Sequence, residues 1–105
     1  MIRITVWRQV GNPPPDAPPG ALVNVFNEAV AVLRKVPGTG DVHWGFGLGG
    51  IVTVAFLTNY AAADAVLKDP AAQAAVAKVF ALGVGIAEDN FVLDIQQVLP
   101  FVPQQ

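Results

Sequence analysis

Ile2, Ile4 and Val6 alternate with Arg3, Thr5 and Trp7, the period of a half-buried strand with two unlike faces. The alternation lapses at Gly11 to Gly20, GNPPPDAPPG, where five prolines fix φ and remove backbone donors. A semi-rigid loop is expected there, either a connector or a stiff flap beside a pocket. From Ala21 to Val36 the period becomes helical: Leu22, Phe26, Ala29, Leu33 and Val36 recur at three- and four-residue steps, with Asn24, Asn27, Glu28, Arg34 and Lys35 on the wetter side. Pro37-Gly38 stops that helix. A strand over Val42 to Phe46, a glycine-rich turn over Gly47 to Gly50 and a β-branched strand over Ile51 to Thr58 follow.

Asn59 suits the N-cap of a short helix, Tyr60 to Lys68. Asp69-Pro70 repeats the start signal, so Ala71 to Leu82 reads as a second piece, ended by Gly83. Glu88-Asp89 is expected in a solvated loop, and Phe91 to Val98 as the last strand. Residues 99–105 form an apolar tail containing Phe101.

The order is βαββαβ. It predicts an α+β, ferredoxin-like domain in which two helices, the second kinked or in two pieces, cover one face of a four-stranded antiparallel sheet. On the first strand Ile2, Ile4 and Val6 are expected to pack on the helices, leaving Arg3, Thr5 and Trp7 opposite. One sheet face would lie open in a monomer, and pairing of two such faces in a homodimer would cover it.

Composition sharpens this picture. A chain of 105 residues is one domain, yet 53% of it is hydrophobic and the mean hydropathy is +0.50. So small a domain has too little interior for that much apolar surface. A subunit interface and a ligand cavity are the natural destinations. No membrane span is expected: the longest nearly apolar run, Trp44 to Leu57, has 14 residues interrupted by glycines and Thr53, and a spanning helix needs roughly 17–25.

A net charge of −2 without clustered lysines or arginines argues against nucleic acid. With no cysteine and one histidine, no cysteine or histidine metal centre is expected and no metal cofactor is called for. The chain opens directly on a strand pattern without an apolar leader, which suggests a cytoplasmic protein.

Charged residues are only 13% of the chain, so candidates for chemistry are few. His43, within Asp41-Val42-His43-Trp44-Gly45, is the first choice for a general acid or base. Its neighbour Trp44 must point to the opposite face of a regular strand, so the two cannot line one cavity. Tyr60 could relay a proton or merely pack. Gly45, Gly47, Gly49 and Gly50 join two strands rather than a strand and a helix, so they make a hairpin and not a phosphate loop. Serine and cysteine are both absent, which excludes the usual nucleophiles.

Val36-Pro37, Asp41 to Gly45, the strand Ile51 to Phe56 and the helix break at Asp69-Pro70-Ala71-Ala72 together resemble the stress-responsive A/B-barrel family, a branch of the dimeric α+β-barrel proteins. The resemblance implies a homodimer whose two sheets pack into a barrel, with a cavity between each sheet and its own helices or within the barrel, and no cofactor. It also implies that the face carrying Arg3 lines the cavity. Arg3 there could hold a carboxylate or enolate oxygen and Trp7 could stack on an aromatic ring; the alternative is an inter-subunit salt bridge from Arg3 to Asp or Glu, with Trp7 as an interface anchor. The family's helical motif is usually histidine-proline-alanine-histidine. Here Asp69 and Ala72 stand at the histidine positions, and Val66 stands where the cyclases of the family carry a tyrosine. A base, if one operates, must lie elsewhere.

The resulting expectation is a cofactor-independent homodimer that binds, cyclises or isomerises an apolar aromatic or polyketide-like compound. His43 and Arg3 are the catalytic candidates, and Thr5, Trp7, Asn27 and Tyr60 contact the ligand. The rivals are a non-catalytic, stress-protective or ligand-binding dimer, a cofactor-free monooxygenase leaning on Trp7, Arg3 and Asn27, and a subunit docking through Phe101.

Overall fold

The computed structural model describes residues 1–92. Strand β1 (Ile2–Gln9) passes through the proline-rich loop to helix α1 (Ala21–Leu33). The hairpin β2 (Thr39–Gly47) and β3 (Gly50–Leu57), the helices α2 (Tyr60–Lys68) and α3 (Pro70–Ala81), and β4 (Val84–Val92) follow in order. The strands form one sheet in the order β2-β3-β1-β4 with every pairing antiparallel. This is the ferredoxin-like α+β fold, its second helix split in two.

The split has a local cause. Asn59 Oδ1 accepts the Ala62 N–H at 3.1 Å, and Asp69 Oδ2 accepts the Ala72 N–H at 2.8 Å, with Pro70 opening α3. Two N-caps so close together require two helices, since a capping residue is extended rather than helical. The β2–β3 hairpin turns on Leu48 (φ 53°) and Gly49 (φ 76°) alone. A left-handed residue pair of this kind matches the twist of the flanking strands. Helix α1 ends at Leu33, short of the expected Val36, because the Lys35 and Val36 N–H groups bond three residues back as the chain tightens toward Gly38.

Two expectations are corrected. The last strand begins at Val84 rather than Phe91, and Asp89 sits inside it opposite Thr5 instead of in a solvated loop. Gly83, at φ 81°, ends the helix and sends the chain straight into the sheet. Glu88-Asp89 conceals the strand in the sequence, because the partner that compensates Asp89 is Arg3, far away along the chain. Residues 93–98 of the expected strand and the 99–105 tail lie outside the described residues.

The second correction concerns the faces of β1. The helices cover the face of Arg3, Thr5 and Trp7, not that of Ile2, Ile4 and Val6. Trp7 is buried among Phe26 of α1, Val79 of α3, Ile51 and Val84. Its ring meets Phe26 edge-on at 5.6 Å, and Phe26 stacks on Trp44 at 5.5 Å. Facing this way buries the large Trp7 ring between α1, α3 and the sheet. The far face carries Ile2, Ile4, Val6, Val52 and Val54, together with Phe56, which is 41% exposed.

Candidate functional site

Between the sheet and the helices lies a cavity of about 390 Å³. Its floor is the inner face of β1 and β3: Arg3, Thr5 and Trp7 beside Thr53, Ala55 and Leu57. Val42 and Thr39 of β2 close one side, and Val66, Ala72, Val76 and Ala77 form the helical roof. Leu67 and Phe80, both well exposed, stand at the rim. The wall is mostly apolar with a few polar groups, the ordinary character of a small-molecule site.

Polar order on the floor comes from one cluster. Arg3 Nε and Nη2 donate to the two oxygens of Asp89 at 3.0 and 2.7 Å, a two-pronged pair, and Thr5 Oγ1 donates to Asp89 Oδ1 at 3.0 Å. Burial raises the Asp89 carboxyl, but the Arg3 hydrogen bond and charge, aided by the Thr5 hydroxyl, outweigh it and hold the group below its ordinary range. Arg3 also lies over the Phe91 ring at 5.5 Å from its centre. One rung along, Trp7 Nε1 donates to Thr53 Oγ1 at 3.0 Å. Thr39 Oγ1 is buried without a hydrogen-bond partner among the described residues.

The structure gathers Arg3, Thr5 and Trp7 on one cavity floor. The other three candidates lie apart. His43 pairs with Val54 and is exposed on the far face of the sheet, so β2 lies between it and the cavity. Trp44 takes the inner side, where its Nε1 donates to Asn27 Oδ1 at 2.8 Å; Asn27 thereby ties α1 to β2 outside the cavity wall. Tyr60 is exposed and leans on Phe91 at 5.5 Å.

Thr53, Gln73 and Thr39 line the cavity without having been candidates. Thr53 left one signal, a lone hydroxyl in an apolar strand, but its relation to Trp7 depends on a strand register that is not visible locally. Among the described residues, no group of three or more His, Cys, Asp or Glu is gathered to hold a metal, and no helix is long and apolar enough to cross a membrane.

No family model matches the sequence, and no curated protein does. Solved structures do match. SnoaB of Streptomyces nogalater, a cofactor-independent oxygenase, is 18% identical over 89% of this chain and 92% of its own, with a TM-score of 0.69. A protein of Chloroflexus aurantiacus J-10-fl, provisionally described as an antibiotic biosynthesis monooxygenase, is 15% identical over 90% of this chain and 92% of its own (TM-score 0.64). A dimeric ferredoxin-like protein of unknown function from Jannaschia sp. CCS1 is 16% identical over 88% of this chain and 100% of its own (TM-score 0.61). At these identities the likeness establishes the fold alone, the ferredoxin-like α+β fold described above.

Proposed function

We propose that this chain is a cofactor-independent small-molecule protein that works as a homodimer and holds an apolar aromatic or polyketide-like compound in the inner cavity. The observation that carries the reading is the cavity itself: about 390 Å³, apolar-walled, with Arg3 and two threonines on its floor. Pairing of two copies through Ile4, Val52, Val54 and Phe56 would cover the apolar outer face of the sheet.

Within this reading, oxygenation has more support than cyclisation. Cyclisation or isomerisation would need an acid or base at the ligand, and His43 lies on the wrong face to act from the same subunit's sheet floor. Cofactor-free oxygenation asks less of the protein. An acidic methylene between aromatic rings loses its proton to water and passes an electron to O2. Recombination and loss of water then give a ketone, with both oxygen atoms accounted for. The likeness to SnoaB, a cofactor-independent oxygenase, supports oxygenation as the reaction class, whereas the resemblance to the stress-responsive A/B-barrel family leaves a non-catalytic binding dimer as the second reading.

Native mass spectrometry followed by an oxygen-electrode assay with anthrone tests the reading. A dimer that retains anthrone and consumes O2 in proportion to ketone formed is the expected result. A dimer that binds without O2 uptake indicates the binding protein. A monomer that retains no aromatic compound refutes the proposal.

A further inference from the structure

The direction of two hydrogen bonds on the cavity floor is forced by their partners. An ionised carboxylate only accepts, so the Thr5 hydroxyl must spend its proton on Asp89, 3.0 Å away. Its free lone pairs leave it an acceptor. The indole Nε1–H of Trp7 only donates, so Thr53 Oγ1 must accept it, also at 3.0 Å. No acceptor among the described residues takes the Thr53 proton, which leaves that hydroxyl a donor. Thr5 and Thr53 sit directly opposite each other across β1 and β3, on the same face, and both line the cavity. Opposed residues of this kind are about 5 Å apart at Cβ, the span that one oxygen atom can bridge.

We propose that Thr5 and Thr53 act together as an acceptor–donor pair that reads a single neutral hydroxyl on the ligand, making Thr53 a specificity-determining residue. This rests on the cavity being the ligand site. A phenol or enol O–H donates to Thr5 and accepts from Thr53, satisfying both; a plain ring satisfies neither. A carboxylate fares worse, because it offers Thr5 no proton and Arg3 is already neutralised by its two bonds to Asp89. The Trp7 indole polarises the Thr53 hydroxyl through the bond it donates, which strengthens the outgoing bond.

The test is isothermal titration of the full chain with 2-naphthol, naphthalene and 2-naphthoate. The wild type is expected to prefer 2-naphthol over naphthalene by roughly tenfold and to bind 2-naphthoate weakest. Thr53→Val is expected to bring the 2-naphthol/naphthalene ratio to about one while keeping naphthalene affinity, and Thr53→Ser to keep the preference. An unchanged ratio in Thr53→Val, or 2-naphthoate as the tightest probe, overturns the inference and leaves the binding function standing. If no probe binds, both fail. Should Thr53→Val not fold, the wild-type ranking and Thr5→Val, which removes the acceptor, decide in its place.

Discussion

Replacing Asp89 by asparagine keeps the shape of the side chain while removing the charge that holds Arg3 and Thr5 together. Three hydrogen bonds converge on this carboxylate, at 2.7, 3.0 and 3.0 Å, and the Arg3 and Asp89 side chains are 18% and 29% exposed. Ion pairs in water are worth at most about 1 kcal/mol, but this one is mostly shielded, and Thr5 is only 4% exposed. Weakening the bond to a buried hydroxyl adds about 1 kcal/mol, so a total loss of about 2 kcal/mol is expected at pH 7. For a domain of this size that is a fall in Tm of roughly 8 °C.

The pH dependence follows from the same contacts. The folded Asp89 carboxyl lies below its ordinary value, so its stabilisation is fully present above the unfolded value of about 3.9. That stabilisation is lost as pH falls from there through the folded value. Thermal unfolding followed by circular dichroism, at one protein concentration, should show the full difference between wild type and variant from pH 5 to 8, shrinking below about pH 4. A difference under about 2 °C at pH 7, or one that persists undiminished at low pH, would mean that the cluster does not stabilise the folded state in this way.

Ala55→Leu should fill the floor of the cavity, raising stability by about 1 kcal/mol in urea titration while abolishing aromatic binding; retained binding would place the ligand elsewhere. Asn59→Ala removes the cap of α2 and should lower stability by about 1 kcal/mol in the same assay, with no change if the cap is idle. Val54→Asp puts a charge in the apolar outer face and should convert the proposed dimer to monomer in sedimentation velocity, whereas a persisting dimer would assign the interface to another surface. His43→Ala should leave anthrone affinity unchanged, and a marked loss would bring His43 into the site from the partner subunit.

Much of this fold was legible from local signals. Alternation marked β1, the Asn59 and Asp69-Pro70 start signals marked both helical pieces, and glycines marked the hairpin. The misreadings were non-local. Glu88 and Asp89 look like a loop until Val6 and Thr5 stand opposite them and the Arg3 side chain reaches across to Asp89. Ile2, Ile4 and Val6 look like the helix-facing side until Trp7 is seen to fill the space between α1 and α3. The grouping of Arg3, Thr5 and Trp7 needed only the strand period, so it was readable. The contribution of Thr53 needed the β1–β3 register, which no local pattern encodes.

Strand β1 leaves the ribosome before the other described elements, yet it occupies an interior position in the sheet, between β3 and β4. Arg3 and Asp89, the pair that fastens one of its edges, are 86 residues apart. During synthesis an apolar strand must therefore wait, unpaired on one side, until nearly all of the described chain has emerged. Closing so long a loop slows folding and prolongs exposure of a strand edge to other nascent chains. Yield from a cell should thus respond to chaperone supply and translation speed more sharply than the equilibrium stability of the finished protein would suggest.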